Sequence, residues 1–212
     1  HVFRVASSID SMVVGEPQIL GQVKDAYREA TEAGVAGAVL SRLFQRAFAT
    51  AKRVKNETGI AQRPVSVARV AVDLAKQIFE TLEDKSALLI GAGDMIEAAL
   101  IALHDHGLGE RKVANRTVAN AEALAERFGG TAHGLDELDS LLSDSDIVLT
   151  CVGGDTPLLT RARIKRSLKG RRGRPLFLID IGVPRNVDPA VHKLDSAYLY
   201  DLDDLQEVAA AN

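Results

Sequence analysis

A single cysteine stands in the 212 residues of this chain, which excludes an intramolecular disulfide framework. With only five histidines beside it, no metal site is expected. Tryptophan is absent and aromatic residues make up 4%, so the core has to be aliphatic. No run of about 18 apolar residues occurs, so no membrane-spanning helix is expected. Charge of one sign is also lacking: 26 basic and 29 acidic residues leave a net −3, too little to mark a nucleic-acid binder by its global field. Repeats and low-complexity tracts are absent. The opening residues His1-Val2-Phe3-Arg4 are neither a signal peptide nor a natural start, and they run at once into patterned sequence. The chain is therefore expected to be a fragment, and a cytoplasmic one.

What is present is 46% hydrophobic and 26% charged residues, the balance of a globular protein with a sizeable core. The first third reads helical. After Glu16-Pro17, apolar Ile19, Leu20, Val23, Ala26, Tyr27 and Ala30 recur three and four apart, with Gly34 as a left-handed stop. A second stripe runs from Leu40 to Val54 and stops at Gly59; a third starts at the N-cap Ser66 and continues to Ile78. From Ser86 the pattern changes. Short apolar runs at 87–90, 112–114, 147–152, 176–181 and 197–200 alternate with helical stretches at Asp94–His106 and Val118–Phe128. Apolar strands alternating with helices predict an α/β fold, a Rossmann-like doubly wound parallel sheet covered on both faces. It is placed at 64–200, after a helical remnant of a second domain at 1–63. A further helix begins in 201–212.

Gly91-Ala92-Gly93-Asp94-Met95-Ile96 lies between a predicted strand and helix. There Gly91 permits a tight turn, and Gly93 lets the backbone approach a pyrophosphate seated on the helix N-terminus. Ile96 replaces the third glycine of such loops, so helix and strand are expected to sit further apart. At the end of the next strand, an NAD site usually carries an acidic residue for the ribose 2′-hydroxyl. This chain has Asn115-Arg116-Thr117. A guanidinium suits a 2′-phosphate, which points to NADP(H); the alternative is that Asn115 and Thr117 only cap the next helix. Gly153-Gly154 and Gly182-Val183-Pro184 also fall at strand carboxyl ends, where ligands collect. Asp180 beside them is either a structural carboxylate or a catalytic one. Cys151 reads as a small buried hydrophobe, with nothing basic next to it to activate it.

Charge is uneven. Residues 41–69 carry seven basic side chains and one acidic, 161–174 carry eight basic and none acidic, and 195–207 carry five acidic and none basic. Each run is either a solvated face or, for the first, a face for polynucleotide phosphates, with Arg42, Arg46, Arg53 and Lys55 exposed opposite the Leu40–Val54 stripe.

The string from His1 to Lys24 resembles the signature of the glutamyl-tRNA reductase family. The resemblance continues through Ala51-Lys52-Arg53-Val54, Glu57-Thr58-Gly59-Ile60, Leu89-Ile90-Gly91-Ala92-Gly93, Ala114-Asn115-Arg116-Thr117, Asp180 to Arg185 and Tyr198 to Leu205. It implies NADPH-dependent reduction of tRNA-bound glutamate to glutamate-1-semialdehyde, the first committed step of tetrapyrrole synthesis. A cysteine thiolate captures the glutamyl group as a thioester before hydride arrives. The family's nucleophilic cysteine falls before position 1. Its important histidine falls on His1, suited to proton transfer. Its substrate contacts fall on Ser11, Glu16, Pro17, Gln18 and Gln22. The family tolerates a bulky residue at Ile96. On this resemblance, 1–63 is the end of a catalytic domain, 64–200 the NADPH domain, and 201–212 the start of a helix towards a missing dimerisation domain. It further implies glutamyl-tRNA(Glu) as substrate, a homodimer, a contact with the aminomutase that takes the product, and an isolated fragment that binds NADPH without reductase activity.

Two alternatives stand beside it. An NADP-dependent oxidoreductase of shikimate-dehydrogenase type leaves residues 1–24 unexplained and calls for a Lys and Asp pair that is not found. A non-catalytic tRNA- or protein-binding module would keep the nucleotide fold alone.

Overall fold

Six short segments, each bounded by turns, form one parallel sheet. The structure, a computed structural model, describes residues 1–11, 14–15, 17–58, 60 and 67–211. These fall into two units, 1–66 and 67–212.

The first unit is helical. α1 (Val2–Ala6) precedes α2 (Pro17–Glu32) and α3 (Ala38–Glu57). Proline at the first position of α2 costs nothing, because its N–H would have no helical partner there. Gly34, at φ +73°, ends α2 in the left-handed conformation. Tyr27 of α2 meets Phe44 and Phe48 of α3 at ring-centroid distances of 5.3 and 5.8 Å. The buried core is a seam of methyl groups from Ala6, Ala47 and Ala51, flanked by Val2 and Leu20.

The second unit opens with α4 (Val67–Ile78). It continues with β1 (Ser86–Ile90), α5 (Asp94–Asp105), β2 (Glu110–Asn115), α6 (Val118–Phe128), β3 (Thr131–Gly134), α7 (Leu138–Asp144), β4 (Ile147–Thr150), α8 (Arg161–Gly170), β5 (Leu176–Asp180), β6 (Ala197–Tyr200) and α9 (Leu202–Ala211). The strand order is β3-β2-β1-β4-β5-β6, with every neighbouring pair parallel. β1, β4 and β5 are buried along their whole length, which is why they read as continuous apolar runs. Among the described residues, no helix is long and apolar enough to cross a membrane.

The predicted sheet is present, with three differences. β3 was not anticipated, because Thr131-Ala132-His133-Gly134 is a polar strand at the sheet edge. The strands expected at 147–152 and 176–181 end earlier, at Thr150 and Asp180. The basic run 161–174 is not a uniform solvated face. Within it Arg171 is 1% exposed. Its guanidinium donates to the carbonyls of Leu142 and Ser143 (3.0 and 3.2 Å), Ser145, Arg174 (3.1 Å) and Pro175 (2.6 Å). Burial pulls its pKa down, and Asp146, 3.5 Å away, works in the opposite sense. Asp146 also accepts the Ser86 N–H (3.2 Å), so this network ties together the starts of β1 and β4 and the end of α8. It sits at the amino end of the sheet, away from where ligands bind such folds.

Candidate functional site

At the carboxyl ends of β1, β2 and β4, where strand order reverses, lies a cleft of about 720 Å³. That falls within the range of small-molecule sites, ~300–1,000 Å³. Its first wall is the β1–α5 turn. Gly91 has φ +122°, and a Cβ there would stand 2.4 Å from the Cys151 carbonyl oxygen. Only glycine fits. Gly93 ends the turn as the N-cap of α5, with no side chain capping the helix. A Cβ on Gly93, or on Gly153 across the cleft, would meet no protein atom within 4 Å, which leaves room for a pyrophosphate. Ile96 is fully buried, and its Cγ1 lies 3.2 Å from where a Gly91 Cβ would stand. Asp94 and Glu97 put two carboxylates in the first turn. Both favour the helix's positive end and oppose a bound anion; Arg127 engages Glu97 at 2.7 Å.

The second wall is the end of β2. Asn115 Nδ2 donates to the Thr117 carbonyl at 3.0 Å, bracing the turn. Thr117 is the N-cap of α6, yet its hydroxyl makes no capping bond. Arg116 lines the cleft, exposed, with neither ion-pair nor hydrogen-bond partner among the described residues. Asn120, one turn into α6, lines the same wall; sequence reasoning passed over it as an ordinary helix polar residue.

The floor is built from the loop after β5. Asp180 is 2% exposed. Its Oδ1 accepts from the Thr150 hydroxyl (2.9 Å) and the Gly182 N–H (3.0 Å), its Oδ2 from the Asn186 and Val187 N–H groups (2.7 and 2.8 Å). Four donors occupy the carboxylate, so it is a structural group and has no free face for catalysis. Asn186, held in this way, accepts the Val152 N–H at 2.8 Å and returns its amide N–H to the Val152 carbonyl at 2.9 Å. Thus the Asp180-to-Asn186 segment fixes the β4 end of the cleft.

Cys151 lines the same floor. Burial is the main cause that pushes its thiol pKa up, and nearby Asp180 adds to it. Iodoacetamide is therefore expected to alkylate it slowly at pH 7, with a rate that climbs at higher pH than for a free cysteine. A rate at pH 7 equal to that of a solvated thiol would contradict this burial.

The cofactor candidates Gly91, Ala92, Gly93, Asn115, Arg116 and Thr117 line one cleft, while Asp94, Met95 and Ile96 belong to the first turn of α5 and do not line it. The substrate candidates lie in the first unit. His1 is exposed, with Nδ1 3.2 Å from Asp10 Oδ2, and Arg4 donates to the other Asp10 oxygen at 2.7 Å. Ser11 and Gln18 are half-buried and Gln22 is exposed. Pro17 opens α2, and Glu16 lies outside the described residues.

A triad of His192, Asp201 and Asp204 has metal-like spacing. Its carboxylates are otherwise engaged: Asp201 Oδ1 accepts from the Asp203 and Asp204 N–H groups (2.9 and 3.3 Å), and Asp204 Oδ2 accepts the Asp201 N–H (2.8 Å). This is a reciprocal cap on α9, with Arg185 paired to Asp201 at 2.8 Å.

Comparison with known proteins gives two family matches. The shikimate / quinate 5-dehydrogenase family matches residues 73–208, and the N-terminal domain of glutamyl-tRNAGlu reductase matches residues 1–58. The glutamyl-tRNA reductase of Syntrophotalea carbinolica is 53% identical over 212 residues, which is 100% of this chain and 48% of that protein. That of Desulfatibacillum aliphaticivorans is 52% identical over 100% of this chain and 49% of its own length. The solved glutamyl-tRNA reductase of Methanopyrus kandleri shares 38% identity with a TM-score of 0.65, over 100% of this chain and 53% of its own. The chain spans about half the length of the curated relatives it matches.

Proposed function

The chain belongs to the glutamyl-tRNA reductase family, and on that premise we propose that it carries the NADPH-binding part of an enzyme that reduces tRNA-bound glutamate to glutamate-1-semialdehyde. The second unit is a nicotinamide-cofactor domain, shared with the shikimate dehydrogenases. The observation that carries the finer reading is the cleft itself, with an open Gly93 turn facing an unpaired Arg116.

In this reading Gly91, Ala92, Gly93 and the first-turn backbone of Asp94, Met95 and Ile96 hold the pyrophosphate. Arg116, Thr117 and Asn115 take the 2′-phosphate. The bound cofactor supplies hydride. Val152 and Gly153, fixed by Asn186, shape the far end of the cleft. In the first unit, Ser11, Gln18 and Gln22 hydrogen-bond the glutamyl group, Glu16 pairs with its α-amino group, and Pro17 sets the start of the helix that presents them. His1, oriented by Asp10, moves a proton at its imidazole. Cys151 is half-buried and not fully buried as expected from sequence, yet it is unsuited to form the thioester, because partial burial and the nearby Asp180 raise its thiol pKa and leave little thiolate. Glutamyl-tRNA as substrate, a cytoplasmic homodimer, and a contact with the aminomutase that consumes the product all belong to the same proposal.

Fluorescence titration with NADPH and NADH tests it. The chain is expected to prefer NADPH, and Arg116→Ala to remove most of the preference. A charge-assisted bidentate contact is worth about 1.5–3 kcal/mol, or about 10- to 150-fold in affinity. Equal binding of both cofactors by the wild-type chain would sink the assignment.

A further inference from the structure

Between α2 and α3, within the first unit, lies a groove of about 510 Å³ lined by Leu20, Lys24, Phe48, Lys52, Lys55 and Asn56. Three lysines from two helices converge on it, and among the described residues no carboxylate lines it. In the same unit Asp10 pairs with Arg4, Asp25 with Arg28 at 2.9 Å, and Glu57 with Arg53 at 3.0 Å, while Glu29 and Glu32 of α2 do not line the groove. Lys24, Lys52 and Lys55 have no ion-pair partner among the described residues. Phe48, Lys52 and Lys55 are spaced four and three apart, so they share one face of α3 and the groove is built into the helix repeat. At about 100° and 1.5 Å per residue, Arg46 lies about 120° around the helix from Lys52, and Arg42 lies about 15 Å from it along the axis; neither lines the groove.

We propose that this groove binds the sugar–phosphate backbone of RNA. Uncompensated cations in a concave groove, with an aromatic ring on its wall, match a narrow line of negative charge. A bilayer surface is broad and calls for a flat or convex face with an apolar stripe. Lysines act as point charges that contact phosphate without reading sequence, so the site contributes position and affinity and leaves base discrimination to other groups. The choice of RNA among polyanions rests on the reading of glutamyl-tRNA as substrate. Arg42, Arg46, Arg53 and Lys55 are all exposed, as expected from sequence; of these Lys55 lines the groove, and Arg53 is paired with Glu57.

The test uses the 212-residue chain, a fluorescein-labelled tRNA transcript and a salt series, with two charge-matched variants. Lys52→Glu/Lys55→Glu is expected to weaken binding at least about 10-fold and to flatten the log–log salt slope by about 1.5, the value for two lost phosphate contacts. Arg42→Glu/Arg46→Glu, with the same change in net charge, is expected to weaken it less than about 3-fold, since a diffuse field is screened within about 10 Å. Helical content by circular dichroism and the thermal melt should be the same in both variants as in the wild type, which shows that the helical unit that carries the substitutions is folded. Equal losses in the two variants, an unchanged Lys52/Lys55 variant, or binding to phosphatidylglycerol vesicles without binding to tRNA would each overturn the proposal. Failure of the wild-type chain to prefer NADPH would sink the cofactor reading and leave the groove standing.

Discussion

Gly91→Ala is expected to destabilise the second unit by about 3–5 kcal/mol and to abolish dinucleotide binding. Two costs coincide at this residue. Its φ of +122° lies in a region closed to residues with a side chain. Its added methyl would also stand 2.4 Å from the backbone oxygen of Cys151. No rotamer change relieves a collision with backbone, so β1 and β4 must separate where Cys151 N–H now donates to the Ile90 carbonyl at 2.9 Å. Gly93→Ala is the informative contrast. Nothing lies within 4 Å of its added methyl, so the melting temperature should move by no more than a few degrees. Cofactor affinity should nonetheless fall, because the methyl takes the space of the pyrophosphate. Urea melts and NADPH titrations on the two variants check both halves. If Gly91→Ala melts with the wild type, the close approach of the two strands is wrong.

Asp180→Ala should be nearly as severe, about 4 kcal/mol or more. It strips the partner from one hydroxyl and three backbone N–H groups in a site that is 2% exposed, and each buried donor left unpaired costs about 1–3 kcal/mol. Asp180→Asn keeps one acceptor oxygen and turns an amide N–H₂ towards the remaining donors, so it should recover only part of the loss. Chemical denaturation gives the stability difference. NADPH affinity should weaken as well, because Asn186 would no longer be held where it clamps Val152. Full stability in Asp180→Ala would mean that water replaces the carboxylate and that the residue is free for another role.

The elements most legible in the sequence are those whose chemistry is uniform along their length. β1, β4 and β5 are buried on both faces, so every position had to be apolar, and α6 ends where Gly129 takes φ +65°. β3 was hidden because it is a sheet-edge strand that owes its place to hydrogen bonds with β2, and period-two patterning has little to say about four polar or small residues. α8 was hidden by its own charges: only Ile164 and Ser167 are buried among its cations. Arg171 looked like its exposed neighbours, because composition does not distinguish a guanidinium surrounded by carbonyls from one in water. In the cleft, Gly91, Gly93 and Arg116 were readable from residue type and position after a strand. Asn120 and Asn186 were not, since their roles depend on loops that meet only after folding.

The methyl seam of the first unit has a consequence for how the chain comes apart. Alanine side chains bury little surface, at about 25 cal/mol per Å², and Ala6, Ala47 and Ala51 carry the buried core there, while Val35 and Val39 stay 70% and 82% exposed. In the second unit a large aliphatic cluster packs on one face of the sheet, and Leu89, Ile147, Leu149 and Ile179 are buried on the other. Local opening free energies follow buried contacts, so the helical unit opens far more often than the sheet. Each opening offers the backbone beside Lys52, Arg53 and Lys55 to trypsin-like proteases. Limited digestion with trypsin is therefore expected to cut the helical unit before the sheet.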